Sequence, residues 1–144
     1  MDIEKFLSSV EVFSKLEPDL LTMLAGHVEI KKFAEDYIVV EQGVQGEYLW
    51  IVYQGSVKVF QETPSKKKIL LATLFPSDIF GEISLISKSQ TTAEVVVEVP
   101  SVLLMIPQEV VLSVINKDMT TNAFFSRTLI ERITDSVNKQ IDKG

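Results

Sequence analysis

The chain has 144 residues, 46% of them hydrophobic and 24% charged, which suits one domain with a core of its own. Its net charge is −6 and its arginines are Arg127 and Arg132. That argues against a nucleic-acid surface, where lysine and arginine supply the affinity for phosphate. The chain has no cysteine, which excludes disulfide and thiol chemistry and suits a cytoplasmic location, and no apolar run approaches the roughly eighteen residues that cross a bilayer.

Residues 1–26 predict short helices. The opening MDIEKF is acidic, unlike a signal peptide. Phe6, Leu7, Val10, Phe13 and Leu16 are spaced for one helical face. Pro18 stands where a first helical turn tolerates it, and Gly26 ends the stretch of Leu20, Leu21, Met23 and Leu24. His27, the single histidine, follows that ending and is expected at the surface.

Over residues 28–106 the pattern changes to short β-rich runs. They are Tyr37 to Val40, Tyr48 to Tyr53, Val57 to Phe60, Ile69 to Leu74, Val95 to Val99 and Val102 to Ile106. Breaks are expected at Gly43/Gly46, Gln54-Gly55, Pro64-Ser65, Pro76-Ser77 and Pro100-Ser101. Short strands at this spacing predict a mostly β fold with flanking helices: a jelly roll, or double-stranded β-helix, with N-terminal and C-terminal helices. The basic run Lys66-Lys67-Lys68 follows turn residues and reads as a solvated hairpin tip. Trp50 is expected in the core or at the barrel mouth, and Asp78 at a loop it caps or orients.

Residues 108–141 predict C-terminal helices, Gln108 to Ile115 and a second after Asn116-Lys117-Asp118 that runs to about Ile141. In the second, Ile130, Ile133 and Val137 recur at helical spacing, with Phe125, Leu129 and Ile141 widening the stripe. Such a stripe either folds back onto the barrel, with Phe124 and Phe125 at the junction, or pairs two copies as a homodimer. The whole of 1–144 is expected to be a single domain.

Two segments are more specific. In Gly43-Val44-Gln45-Gly46-Glu47 the glycines introduce two strands, Tyr48 to Tyr53 and Ser56 to Val59, expected to turn at Gln54-Gly55. In Phe80-Gly81-Glu82-Ile83-Ser84-Leu85-Ile86 a strand ends at Gly81 and passes into one helical turn, whose free N–H groups suit an anion. Thr91-Thr92-Ala93 follows after a polar stretch.

Together these segments resemble the cyclic nucleotide-binding domain family, of the catabolite activator protein type, over roughly residues 5 to 140. The resemblance implies that Phe80, Gly81, Glu82, Ile83 and Ser84 belong to a phosphate-binding cassette. Backbone amides there would meet the cyclic phosphate of cAMP or cGMP, and Glu82 would accept from the ribose 2′-hydroxyl. The family then continues with an arginine that neutralises the phosphate; here Thr91 stands in that place, followed by Thr92 and Ala93. Exchanging a charge-assisted guanidinium contact for a neutral hydroxyl costs on the order of 2–5 kcal/mol in a desolvated site. Lys88 supplying the charge, a less charged ligand held by Gln90, Thr91 and Thr92, and an empty pocket are the alternatives. The base would face Thr134, Ser136 and Val137 of the last helix.

An enzyme is not expected. A jelly-roll metalloenzyme gathers several histidines on one metal, and the chain has one histidine. No thiol nucleophile or phosphate-cradling NTPase loop is present either. The expected function is therefore a regulatory domain that senses a cyclic nucleotide, or another small molecule, and relays it through the C-terminal helix. The alternative is a dimerisation or docking adaptor with a vestigial pocket. No metal, membrane or nucleic-acid partner is expected of this chain.

Overall fold

A computed structural model describes residues 2–82, 90–117, 119–128 and 130–131. Three helical pieces come first. Helix α1, Ile3–Ser8, is capped by the Asp2 carboxylate, which accepts from the Lys5 N–H at 3.0 Å. A 3₁₀ turn, Glu11–Phe13, leads to α2, Pro18–Ala25, which starts on its proline and stops at Gly26. Six strands follow: β1 Glu29–Phe33, β2 Ile38–Val40, β3 Tyr48–Glu62, β4 Lys68–Leu74, β5 Ile79–Phe80 and β6 Glu94–Pro107. Helix α3, Gln108–Ile115, comes next, and residues 119–128 are again helical.

All strand pairs are antiparallel, and the two long strands organise them. β3 and β6 pair with each other from Tyr48↔Pro107 to Phe60↔Glu94. Near one end they are flanked by β5 and β1, near the other by β4 and β2. The roll is thus two short sheets sharing two strands that bend in the middle.

The bend corrects one expectation. Gln54-Gly55 does not reverse the chain, and Pro100-Ser101 does not interrupt it; both lie within continuous strands. The register between β3 and β6 slips at Val52/Gln54, Gln54/Ser56 and Ser56/Val57, so the corner is a set of bulges. Gly55 sits at φ +91°, and a Cβ there would lie 2.8 and 2.9 Å from the Ser101 Cβ and Cα. Only glycine permits both that conformation and that approach. The Ser101 hydroxyl fills the gap, accepting from the Ser56 N–H at 3.1 Å and donating to the Val99 carbonyl at 2.6 Å. Beside it the Ser56 hydroxyl donates to Glu98 at 2.8 Å and Lys58 pairs with the same carboxylate at 3.2 Å. The Ser56 bond, and then Lys58, hold the Glu98 carboxyl below its ordinary value of 4.5.

β1 was not among the strands expected from sequence. Glu29-Ile30-Lys31-Lys32 is almost wholly exposed and pairs with β6 alone among the described strands. Its charges suit a sheet edge but hide the apolar alternation. The Lys66–Lys68 run is a hairpin tip as read, with the Thr63 N–H donating to the Lys67 carbonyl at 2.9 Å.

Alternation along β3, β5 and β6 divides the apolar residues between two cores. Leu49, Ile51, Ile79, Leu104 and Ile106 point outward against the helices, joining Leu7, Phe13, Leu24, Val111, Val114 and Phe125. Trp50, Val52, Phe80 and Leu103 point inward, where they meet Val57, Val95 and Val97 of the other half. Phe125 packs 6.2 Å from Phe13, so the final helix meets the N-terminal helical segment there. Ile130 is 62% exposed and Met119 89%. Phe125, by contrast, is buried. Leu129, Ile133, Val137 and Ile141 lie outside the described residues. Among the described residues no helix is long and apolar enough to cross a membrane.

Candidate ligand-binding site

Gly81 marks the point where β5 leaves the sheet. Its φ is +86°, and a Cβ would stand 2.7 Å from the Tyr48 carbonyl and 3.5 Å from the Trp50 ring. The glycine therefore lets the start of the cassette lie flat against β3. Phe80 before it is 4% exposed and stacks on Trp50, with ring centres 5.9 Å apart and planes 3° from parallel. Glu82 after it is 6% exposed. Phe33 and Tyr48 meet Trp50 edge-on, so the strand junction is walled by aromatic rings.

A pocket of about 370 Å³ opens here. Its walls are β2 with Glu41, the segment from Val44 to Tyr48, and then Trp50, Gly81 and Thr91. Sequence reasoning had assigned Gly81 and Thr91 to the site but missed the other walls. The glycines at 43 and 46 point to a special loop there, without showing that it pairs with Gln90 and Thr91.

Thr91 has a job that the sequence did not disclose. Its hydroxyl donates to the Glu41 carbonyl at 2.5 Å and accepts from the Val44 N–H at 3.1 Å. Its backbone completes the seam, donating to the Val44 carbonyl at 2.7 Å and accepting from the Gly43 N–H at 2.9 Å. A hydroxyl has one proton, and this one is already given to a backbone carbonyl. Thr91 is thus a stitch between the cassette's far end and the loop after β2, with no donor left for an anion.

The neighbouring residues are similarly tied. Gln90 bridges Gln45 in an antiparallel pair, and the Thr92 carbonyl accepts from the Gln61 side chain at 3.1 Å. Thr92 is exposed and Ala93 half-buried as the chain enters β6. The structure therefore brings Gly81 and Thr91 into one pocket wall, sets Phe80 and Glu82 beside Gly81 but outside the lining, draws Gln90 into a bridge with Gln45, and leaves the Thr92 carbonyl on the Gln61 side chain. Ile83, Ser84, Lys88, Thr134, Ser136 and Val137 lie outside the described residues.

The electrostatics are equally particular. Among the described walls the charged side chains are Glu41 and Glu47, with no lysine or arginine. A carboxylate-lined mouth repels a phosphate, and the net charge of −6 adds to the effect.

The comparisons identify the family. Residues 30–118 match the cyclic nucleotide-binding domain family, and the chain belongs to it. Isozyme 1 of the cGMP-dependent protein kinase of Drosophila melanogaster is 34% identical over 99 residues, covering 67% of this chain and 13% of that protein. A CRP-like cAMP-activated global transcriptional regulator of Mycobacterium tuberculosis is 28% identical over 91 residues, covering 63% of this chain and 41% of that one. The regulatory domain of Toxoplasma gondii PKA, co-crystallised with cAMP, superposes with a TM-score of 0.81 at 20% identity, over 90% of this chain and 49% of that one. The chain thus spans less than half the length of these curated relatives. It is a regulatory domain of the cyclic nucleotide-binding type, with the jelly-roll fold read from its sequence.

Proposed function

We propose that this domain is a sensor that takes cAMP or cGMP weakly beside Glu82, and that a less charged ligand of similar outline fits the pocket better. One observation carries the proposal: the residue in the place of the family's arginine spends its hydroxyl on the Glu41 and Val44 backbone. Among the described walls there are glutamates and no cation to offset the cost of drying a phosphate. Glu82, buried beside Gly81, would accept from a ligand hydroxyl, as the family pattern implies. Ile83 and Ser84 would lend backbone amides, Lys88 a charge from the loop, and Thr134, Ser136 and Val137 a lid over the base. Residues 1–144 would act as one domain in the cytoplasm, regulating an activity that another chain or module performs.

A second reading has its own support. Met119 and Ile130 stand in solvent on the final helix, as expected of a seam that pairs two copies. In that reading the domain is a docking or homodimerising adaptor and its pocket is vestigial.

Thermal melting with and without nucleotide separates the two. At about 10 mM, roughly ten times a millimolar dissociation constant, cAMP or cGMP should raise the melting temperature by about 3–6 °C. Glu82→Ala should remove the shift. If cAMP, cGMP and their uncharged nucleosides all leave the melting temperature unchanged, the sensor is refuted and the adaptor stands.

A further inference from the structure

Gln108 is the first residue of α3, and it touches the pocket from behind. Its backbone N–H, one of the donors that a helix start leaves without an internal partner, donates to the Glu47 carbonyl at 3.0 Å. Its side-chain amide donates to the Gly81 carbonyl at 3.2 Å and reaches the Tyr48 carbonyl at 3.5 Å. Glu47, Tyr48 and Gly81 are all walls of the pocket. One half-buried residue therefore fastens two wall segments, Glu47-Tyr48 and Gly81, to the start of a helix.

The helix it begins is not isolated. Val111, Val114 and Ile115 on its inner face share one core with Leu24 of α2 and Phe125 of the final helix. Pro107, at the N-cap, offers no side-chain hydrogen bond, so Gln108 is the polar fastening at this end. The fork at Gln108 takes the Gly81 and Tyr48 carbonyls together, so a movement of Gly81 relative to β3 would change it.

We propose that Gln108 is the positioning residue that ties the pocket wall to the C-terminal helices, so that the Gly81 turn and α3 shift together. Its use as a relay rests on the sensor function above; the tie itself does not. Neither the family match nor the spacing of the sequence marks this glutamine, because its role lies in two backbone carbonyls distant in the chain.

Residue-resolved amide exchange on the ligand-free protein tests the tie. Gln108→Ala should speed exchange about five- to tenfold at Ile79–Glu82 and at Leu112–Ile115 together, with Val57–Phe60 unchanged. Gln108→Lys, which keeps a donor at similar reach, should bring both segments back toward wild type. A uniform rise over the whole sheet, or a change confined to one of the two segments, would overturn the proposal. Adding cAMP at about 10 mM reads the relay. The wild type should then change exchange both at Gly81 and across residues 119–128, and Gln108→Ala should keep the first change and lose the second. If cAMP alters no amide in the wild type, the sensor fails, while the ligand-free measurement still decides the tie.

Discussion

Leu49 and Trp50 are neighbours on β3 yet serve opposite purposes. Leu49, with Ile51, faces the helices in a core where Leu7, Phe13, Leu24 and Leu104 are all fully buried. Trp50 faces the interior of the roll, where the apolar filling stops at a pocket and the ring is half-buried. The first core is closed and holds the helices onto the sheet. The second is closed near the Gly55 corner and open near Gly81. Strand alternation alone makes this division, so one strand supplies both the stability of the domain and the wall of its site.

The sharpest test of that contrast is Ile51→Ala. A fully buried isoleucine in the closed core should cost about 2–5 kcal/mol, read as a lower denaturant midpoint, with ligand affinity of the folded fraction unchanged. A loss of affinity without loss of stability would break the division. Thr91→Val probes the open side. It removes the stitch to Glu41 and Val44 in a loop that water can reach, so about 0.5–1.5 kcal/mol should be lost, with no fall in cAMP affinity. A clear fall in affinity would return the hydroxyl to the ligand.

The smallest expected effect lies at the far corner. The folded pKa of Glu98 is depressed, so its contribution to stability is present above 4.5 and fades as pH falls through the lower folded value. Glu98→Gln should therefore flatten the acid limb of stability below about pH 4.5 and leave the neutral plateau nearly unchanged. An unaltered acid limb would remove the Ser56–Glu98–Lys58 cluster from the account.

The jelly roll was legible because its signals are local. Apolar runs of strand length, prolines and glycines between them, and the Phe80-Gly81-Glu82 turn each reflect a backbone need within a few residues. Helix α3 was bounded correctly by Pro107 and Asn116 for the same reason. What escaped depended on distant partners. Gly55 looks like a hairpin turn until Ser101 is seen against it. β1 hides because its charged residues face water on a sheet edge. Thr91 reads as a poor substitute for arginine until its hydroxyl is found bonded to a loop some fifty residues earlier, |i−j| = 50 for Glu41. The walls from Val44 to Tyr48 carry no ligand chemistry of their own in the sequence, and enter the site through distant partners: Thr91 at Val44, Gln90 at Gln45, and Gln108 at Glu47 and Tyr48.

Among the described walls of the pocket there is no cation, and a chemical-shift titration reads what that does to ligand choice. Trp50 is the single tryptophan, so its indole N–H gives one unambiguous signal in the pocket wall, to be followed with the Gly81 amide. Adenosine should move both signals at concentrations equal to or below those needed for cAMP. Tenfold or tighter binding of cAMP, about 1.4 kcal/mol in favour of the phosphate, would contradict it.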